Sequence, residues 1–199
     1  MATQQKSNLE GMLQVGETCL KNELYDAAAD LFAQIAESAG RASFSDLRIK
    51  ARRLLGEAFL SKGDYFLREG LLEQAVTTYT FASNFAGTFD FPELAEISAK
   101  QVALIEAYTP EQKVQLYFEA GKRHEDKALS LLRMGISESG LEEFCTARAR
   151  YITAGLLFGA HEEAWRRLSV VEYYVELLEK EPQVPQPEES FRSMDKYVN

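Results

Sequence analysis

The stretch GETCLKNELYDAAADLF, residues 16–32, carries a glycine in one predicted helix and an alanine and a phenylalanine in the next. Two antiparallel helices approach closely only where one of them presents a small residue to the other. Because Gly16 has no side chain, we expect the second helix to place Ala28 near it. Phe32 lies one turn after Ala28 and would cover the joint. This spacing predicts a tightly packed helical hairpin.

A second copy of the spacing occurs in FLSKGDYFLREGLLEQAVTTYTFASNFAG, residues 59–87. Its glycine, alanine and aromatic residue stand at the same relative places as in the first copy; they are Gly63, Ala75 and Tyr79. A third, weaker copy has Arg133 at the place of the packing glycine. That copy would use Leu132, Ile136, Leu141, Cys145, Ala149 and Ile152. The chain is therefore predicted to contain repeated helical hairpins.

This order of small and aromatic residues resembles the tetratricopeptide repeat (TPR), clearly over about residues 9–87 and weakly over 110–158. In the first copy Met12, Val15–Gly16 and Cys19 occupy the aromatic, Leu-Gly and Tyr places of that pattern. The resemblance implies an all-α, TPR-like right-handed α-solenoid of stacked antiparallel hairpins. Two of its helices would be overlong, and a C-terminal helix would cap the array. A non-repetitive helical bundle, or a looser relative such as the vesicle-fusion attachment proteins, remains an alternative.

Helix boundaries are indicated by proline and glycine. All five prolines fall at or beyond the boundaries of the apolar helical patterns, and no alternating β-branched run predicts a strand. Glycine often stands just past the last turn of a helix, so five glycines are expected to end helices; they are Gly40, Gly70, Gly87, Gly135 and Gly159. The predicted helices span about 5–21, 24–39, 44–69, 72–86, 92–107, 110–135, 139–158 and 160–180.

The last part of the chain differs in composition from the rest. Residues 1–181 are predicted to form a single TPR-like domain, whereas 182–199 read as a proline-rich tail. The tail ends in a short apolar motif of Phe191, Met194, Tyr197 and Val198. Two interpretations stay open for it, a free tail and a peptide that docks on a groove.

Net charge, hydropathy and cysteine spacing exclude several classes of binding site and indicate where the protein is located. The net charge of −9 argues against binding to nucleic acid or to an anionic membrane surface, since both attract basic proteins. The longest apolar stretch, 151–160, is too short for a membrane span. Cys19 and Cys145 are far apart and lack the spacing of a metal or redox motif, so both are expected to be buried, reduced thiols. A cytoplasmic protein is the resulting expectation.

Residues for catalysis or metal binding are sparse. Only two histidines occur, His124 and His161, and each is followed by acidic residues that point in diverging directions on a helix. Both are expected to be surface residues. Neither a phosphate-binding loop nor a His-Glu-x-x-His motif is present. We therefore predict no enzyme, cofactor or metal; a helical-bundle enzyme or metal carrier is the less favoured alternative.

The TPR resemblance implies a protein–protein interaction module, that is, an adaptor, scaffold or small chaperone. Its groove would be lined by the first helix of each hairpin, where Leu13, Glu17, Leu60 and Asp64 stand. Phe81 and Phe89 are predicted to contribute an aromatic partner surface. Because these groove positions lack the basic clamp for acidic C-terminal peptides, a basic or apolar peptide or helix is the predicted ligand. The alternative is a structural subunit that assembles with itself, as a homo-oligomer, or in a fixed complex.

One basic run stands out against the acidic background. It consists of Arg48, Lys50, Arg52 and Arg53, preceded by Arg41. Residues one or two apart on a helix diverge, so the run does not form a single face. Two interpretations are left open: a solvated helix surface, or a docking site for an acidic partner.

Overall fold

The computed structural model describes residues 2–158 and 161–180, and within this part every regular element is an α-helix. The eight predicted helices and the all-α class are confirmed. The helices are α1 (Ala2–Lys21), α2 (Tyr25–Arg41), α3 (Ser45–Arg68), α4 (Leu72–Thr88), α5 (Pro92–Glu106), α6 (Pro110–Arg133), α7 (Ser137–Phe158) and α8 (Glu162–Lys180). The tail over 182–199 and its apolar motif lie outside the described residues.

The contacts between helices divide the chain into two compact units. Unit 1 is Met1–Ala107 and contains α1 to α5; unit 2 is Tyr108–Asn199 and contains α6 to α8. This link differs from the five other helix links that the structure describes, because Thr109 and Gln112 form a capping box that starts α6 at Pro110. That the two units make up one domain over 1–181 stays a prediction.

Five of the helix links share one backbone geometry. In each, a residue with positive φ follows the helix, and the N–H of the next residue bonds a carbonyl five positions back, as in a Schellman motif. An apolar residue then leads into the next helix. The positive-φ residues are Glu23, Ser43, Gly70, Asp90 and Gly135. Repeated use of one tight link explains why successive helices within each unit pack as antiparallel neighbours.

The expected glycine stops were only partly right. Gly70 and Gly135 take the left-handed conformation, but Gly40 and Gly87 lie inside α2 and α4. Both helices run past these glycines, and Ser43 and Asp90 adopt the left-handed conformation instead. At Gly40 the missing side chain serves packing, because a Cβ there would lie 3.3 Å from the Nε of Arg48. Gly159 lies outside the described residues.

Unit 1 is a series of antiparallel helices whose small residues face aromatic rings. A Cβ built on Gly16 would lie 2.6 Å from the ring of Phe32, so the aromatic residue itself, rather than Ala28, fills the space opposite the glycine. Gly63 faces the ring of Tyr79 at the same 2.6 Å. Both rings are fully buried. Each glycine therefore leaves the space that an aromatic side chain of the following helix occupies.

The two hairpins of unit 1 repeat with a period of 47 residues. Gly63 follows Gly16 by this interval, and Tyr79 follows Phe32 by it. The same interval relates further pairs, in the links and in the core: Glu23 and Gly70, Ser43 and Asp90, Ala28 and Ala75, Ala39 and Ala86, Leu47 and Leu94, Ala51 and Ser98. The repeat thus extends through α5, beyond the second hairpin.

Unit 2 contains the same glycine–aromatic contact, placed further from the link between its helices. Gly121 of α6 faces the ring of buried Tyr151 of α7, again with a Cβ position 2.6 Å from the ring. In the first two hairpins the packing glycine precedes the positive-φ residue of the link by seven residues, whereas Gly121 precedes Gly135 by fourteen. After the link, Tyr151 likewise stands seven residues further along the chain than the rings of the first two hairpins. Seven residues are close to two helical turns, so both residues keep their faces.

The register predicted for the third copy was wrong. Ala149, placed where the aromatic ring should stand, is exposed, and so is Cys145, which was expected to be buried. The buried face of α7 instead carries Ala147 and Tyr151. The predicted register holds only for the hairpin length of the first two copies, whereas the glycine and the ring of the third hairpin each stand two turns further from the link. Beyond this pair, α8 packs on α7 with the Trp165 ring against Gly155.

Candidate functional site

Unit 1 contains a groove of about 510 Å³ between α2, α3 and α4. We call it the α2–α4 groove. It is lined by Ala33, Ala36, Glu37, Gly40, Arg41, Arg48, Arg52, Leu55, Phe85 and Phe89. Its volume falls in the range that binds small ligands or a few side chains of a peptide.

Small residues on one face of α2 form one wall of the groove. Ala33, Ala36 and Gly40 recur at intervals of three and four residues, which align them along a single face. The opposite wall is aromatic, with the rings of Phe85 and Phe89 4.8 Å apart between centroids. The small side chains of α2 leave space that the aromatic rings do not fill, so an apolar side chain of a ligand can enter between the two walls.

Two arginines of α3 complete the groove. Arg52 lies over the ring of Phe89, with its Cζ 4.1 Å from the ring centroid, and the side chain of Arg48 packs against Gly40. They are one helical turn apart and so share a face of α3. Burial lowers the pKa of Arg52, and the neighbouring charge of Arg48 lowers it further. Both effects oppose a positive charge that an anion would stabilise.

The rest of the basic run is neutralised by carboxylates. Lys50 pairs with Glu17 at 3.3 Å, Arg53 pairs with Glu57 at 3.1 Å, and Arg41 pairs with Glu37. Arg48 and Arg52 differ from these three. Within the part of the chain that the structure describes, neither has a carboxylate oxygen within 4.0 Å or a side-chain hydrogen bond. The two unpaired cations of the run are the two on α3 that line the groove.

The residues predicted to line a first-helix groove lie elsewhere. Leu13 is only 3% exposed and belongs to the core of unit 1, and Leu60 is partly buried. Glu17 is engaged by Lys50, and Asp64 accepts a 2.5 Å hydrogen bond from the Tyr79 hydroxyl. None of these four lines the α2–α4 groove. The carboxylates of Glu17 and Asp64 connect helices within unit 1.

The two aromatic residues proposed as a partner surface have different surroundings. Phe89 lines the α2–α4 groove beneath Arg52. Phe81 is 53% exposed and meets Phe59 edge to face, with 4.7 Å between ring centroids. The sequence analysis did not identify the face of small residues on α2, or that Arg48 and Arg52 line the same groove. The four-residue spacing of these arginines was the available signal.

Unit 2 holds a buried polar network that joins its three described helices. Glu125 is 7% exposed and accepts hydrogen bonds from the Tyr151 hydroxyl at 2.6 Å and from Arg167 at 3.0 Å. Burial, and then the Glu125 carboxylate, raise the pKa of Tyr151. The network connects α6, α7 and α8, so it serves the packing of this unit.

A second network refines the expectation for the histidines. His124 is not a surface residue: its side chain is 15% exposed and its Nδ1 lies 2.6 Å from Glu143, which Lys127 also contacts. His161 accepts a hydrogen bond from the backbone N–H of Ala164 at the start of α8. Burial alone would raise the pKa of Glu143, but hydrogen bonds from Lys127 and His124 outweigh it and lower the pKa.

We expect Glu143→Gln to reduce the acid sensitivity of unit 2. A carboxyl whose pKa is lowered by folding stabilises the folded state above its ordinary pKa, and this contribution is lost as the pH falls through the lowered value. The free energy of unfolding, followed by the fluorescence of Trp165, should therefore drop less in the variant between about pH 6 and about pH 3. Exposed Glu142→Gln is the matched control and should behave as the unmodified protein. Equal acid sensitivity in all three would contradict the assignment.

Searches of protein-family models, of curated proteins and of solved structures found no match to this chain. In the described part of the chain, no group of three or more His, Cys, Asp or Glu residues is arranged to hold a metal ion. None of the described helices combines the length and apolar composition needed to cross a bilayer.

Proposed function

We propose that this chain is a non-catalytic protein–protein interaction module, an adaptor or scaffold, and that it binds a peptide or helix of a partner in the α2–α4 groove. The observation that carries the proposal is the groove itself. It is open, is lined by small and aromatic side chains, and contains two arginines without carboxylate partners among the described residues. Such a mixture of apolar walls and a few polar groups is typical of ligand sites.

The repeated hairpins of unit 1 support the helical-repeat part of this proposal, although their 47-residue period is longer than the roughly 34 residues of a TPR module. Helical repeats cannot bury their faces alone, and stacking them produces extended surfaces that bind other proteins. The 47-residue repeat of unit 1, with its glycine–aromatic contacts, has this character. We extend the proposal to a right-handed α-solenoid arrangement of the hairpins of this unit.

The experiment uses the full-length chain and a peptide array with acidic, basic and apolar arms of equal length. Ala33→Trp places a large ring in the groove from an exposed position, and Gln34→Trp is its matched control on the neighbouring surface of α2. We expect at least one arm to bind. Its affinity, measured by fluorescence anisotropy, should fall about tenfold or more in Ala33→Trp and stay within about twofold in Gln34→Trp. Absence of binding by every arm, or binding that Ala33→Trp leaves unchanged, would overturn the proposal.

A further inference from the structure

The α2–α4 groove differs in charge from the protein that contains it. The chain carries a net charge of −9, yet the groove is lined by three arginines and a single carboxylate, Glu37, which is already paired with Arg41. Arg48 and Arg52 therefore leave a local positive charge in an acidic surface. Such a contrast attracts a segment of opposite charge and directs it to one place.

The geometry of the two arginines suits a carboxylate. Like charges one turn apart on a helix repel each other, and an anion between them would remove this repulsion. Contact with the Phe89 ring restricts the guanidinium of Arg52 without neutralising it. The N–H groups of both side chains are unused by the described part of the chain, and guanidinium groups bind carboxylates through paired hydrogen bonds.

The walls of the groove suit an apolar neighbour of that carboxylate. Ala33 and Ala36 leave room opposite Leu55 and Phe85, beside the two arginines. We propose that the groove binds an acidic segment of a partner protein, with one Asp or Glu carboxylate held by Arg48 and Arg52 and a nearby aromatic or aliphatic side chain between the α2 and α4 walls. This inference rests on the proposed function and specifies the partner. It departs from the basic or apolar ligand that the first-helix positions suggested.

A second depression in unit 1 shows why the pairing state matters. It has a volume of about 360 Å³ and lies at the α1–α2 link, where Lys62 is its one lining cation. Lys62 pairs with Asp26 at 2.5 Å. A ligand carboxylate there would have to displace a partner that the chain already supplies. The α2–α4 groove imposes no such competition at Arg48 or Arg52.

The probes are four labelled peptides that differ only in one central segment. The acidic probe carries Asp-Glu-Asp-Phe-Leu, its amide counterpart Asn-Gln-Asn-Phe-Leu, the basic probe Lys-Lys-Lys-Phe-Leu, and the fourth probe replaces the first Asp by phosphoserine. We expect the acidic probe to bind the full-length chain about tenfold or more tightly than the amide probe. Binding should weaken as the salt concentration rises, because the attraction is between charges.

Variants of the protein locate the contact. Arg48→Gln and Arg52→Gln should each weaken the acidic probe about tenfold, whereas Lys50→Gln and Arg53→Gln, which belong to the same basic run, should change it by less than about twofold. Circular dichroism melting of each variant shows whether it folds. Equal losses in all four variants would overturn the proposal, because the probe would then be bound by diffuse charge.

The remaining outcomes separate this inference from the proposed function. Preferential binding of the basic or amide probe, abolished by Ala33→Trp, would overturn the acidic ligand and leave the interaction groove standing. Binding of the phosphoserine probe more than about tenfold tighter than the acidic probe would also overturn the carboxylate assignment, because it would identify a phosphate site. Failure of all probes and of the array would overturn both proposals.

Discussion

Gly63→Leu is expected to destabilise unit 1 by about 3 kcal/mol, near the upper end of typical overpacking costs. The first added carbon alone would lie 2.6 Å from Cε1 and 2.7 Å from Cδ1 of Tyr79. That ring is fully buried and its hydroxyl donates a hydrogen bond to Asp64, so it has little freedom to move away. The measurement is urea unfolding followed by circular dichroism.

Gly11→Leu provides the control for this prediction. A Cβ at Gly11 meets no atom within 4 Å, and the residue lies inside α1. Because leucine favours helix more than glycine does, this variant should gain up to about 1 kcal/mol. The two glycine substitutions should thus have opposite signs. A gain or no change in the stability of Gly63→Leu would show that the Tyr79 ring does not pack against Gly63.

A double substitution tests the contact itself. Tyr79→Leu is costly alone because it leaves a cavity in the core. It also removes the ring that obstructs Gly63, so Gly63→Ala should cost at least about 1 kcal/mol less in the Tyr79→Leu background than in the unmodified protein. Equal costs in the two backgrounds would mean that glycine at this position is required by something other than the ring.

Arg167→Met is expected to destabilise unit 2 by about 2–4 kcal/mol, because it removes the charged partner of a buried carboxylate. Among the described residues, Glu125 would then keep only the hydrogen bond from the Tyr151 hydroxyl. The expected cost is below that of breaking a fully buried pair, since the Arg167 side chain is 31% exposed. Unfolding is followed through Trp165, which is the single tryptophan of the chain and lies in unit 2.

Arg166→Met is the matched control, one residue earlier on α8. Arg166 pairs with Glu162 and Glu163, but its side chain is 61% exposed, and surface pairs of this kind contribute little. We expect a change of less than about 0.5 kcal/mol. Similar losses in the two variants would indicate that helix propensity, rather than the Glu125 network, decides the outcome. Tyr151→Phe should lie between them, at about 1 kcal/mol for one hydrogen bond.

Local sequence signals were sufficient for the helices. Apolar periodicity, the two first-turn prolines at Pro92 and Pro110, and the absence of strand patterns depend only on neighbouring residues, and all eight helices follow from them. The same kind of signal misplaced the ends of α2 and α4. Gly40 and Gly87 are the residue type that often ends a helix, but the left-handed conformation is adopted three residues later, by Ser43 and Asp90.

The third hairpin shows where spacing alone stops being informative. Gly121 and Tyr151 are 30 residues apart, whereas the corresponding pair in the first copy, Gly16 and Phe32, is 16 apart. The extra turns keep both residues on their packing faces, so the contact survives while the sequence interval changes. The fixed spacing of the first copy points to Arg133, Cys145 and Ala149 instead. The same spacing lengthened by two helical turns in each helix points to Gly121 and Tyr151.

The α2–α4 groove depends on contacts between residues far apart in the sequence. The basic run contains five similar cations, and their order places Arg48 and Arg52 one turn apart but does not show which cations lack a carboxylate partner. That difference comes from partners on other helices or one turn away. Glu17 of α1 reaches Lys50, while Glu57 and Glu93 reach Arg53.

The order of residues by itself determined that the described part of this chain is helical, where most of its helices begin, and that small and aromatic residues mark the packing faces of its first two hairpins. These properties follow from local backbone preference and from the helical period. The tertiary structure alone decided which cations are left without a carboxylate and which small residues open a groove beside them. Ion pairing and cavity shape depend on distances through space, and those distances are set only when α1 to α5 pack together.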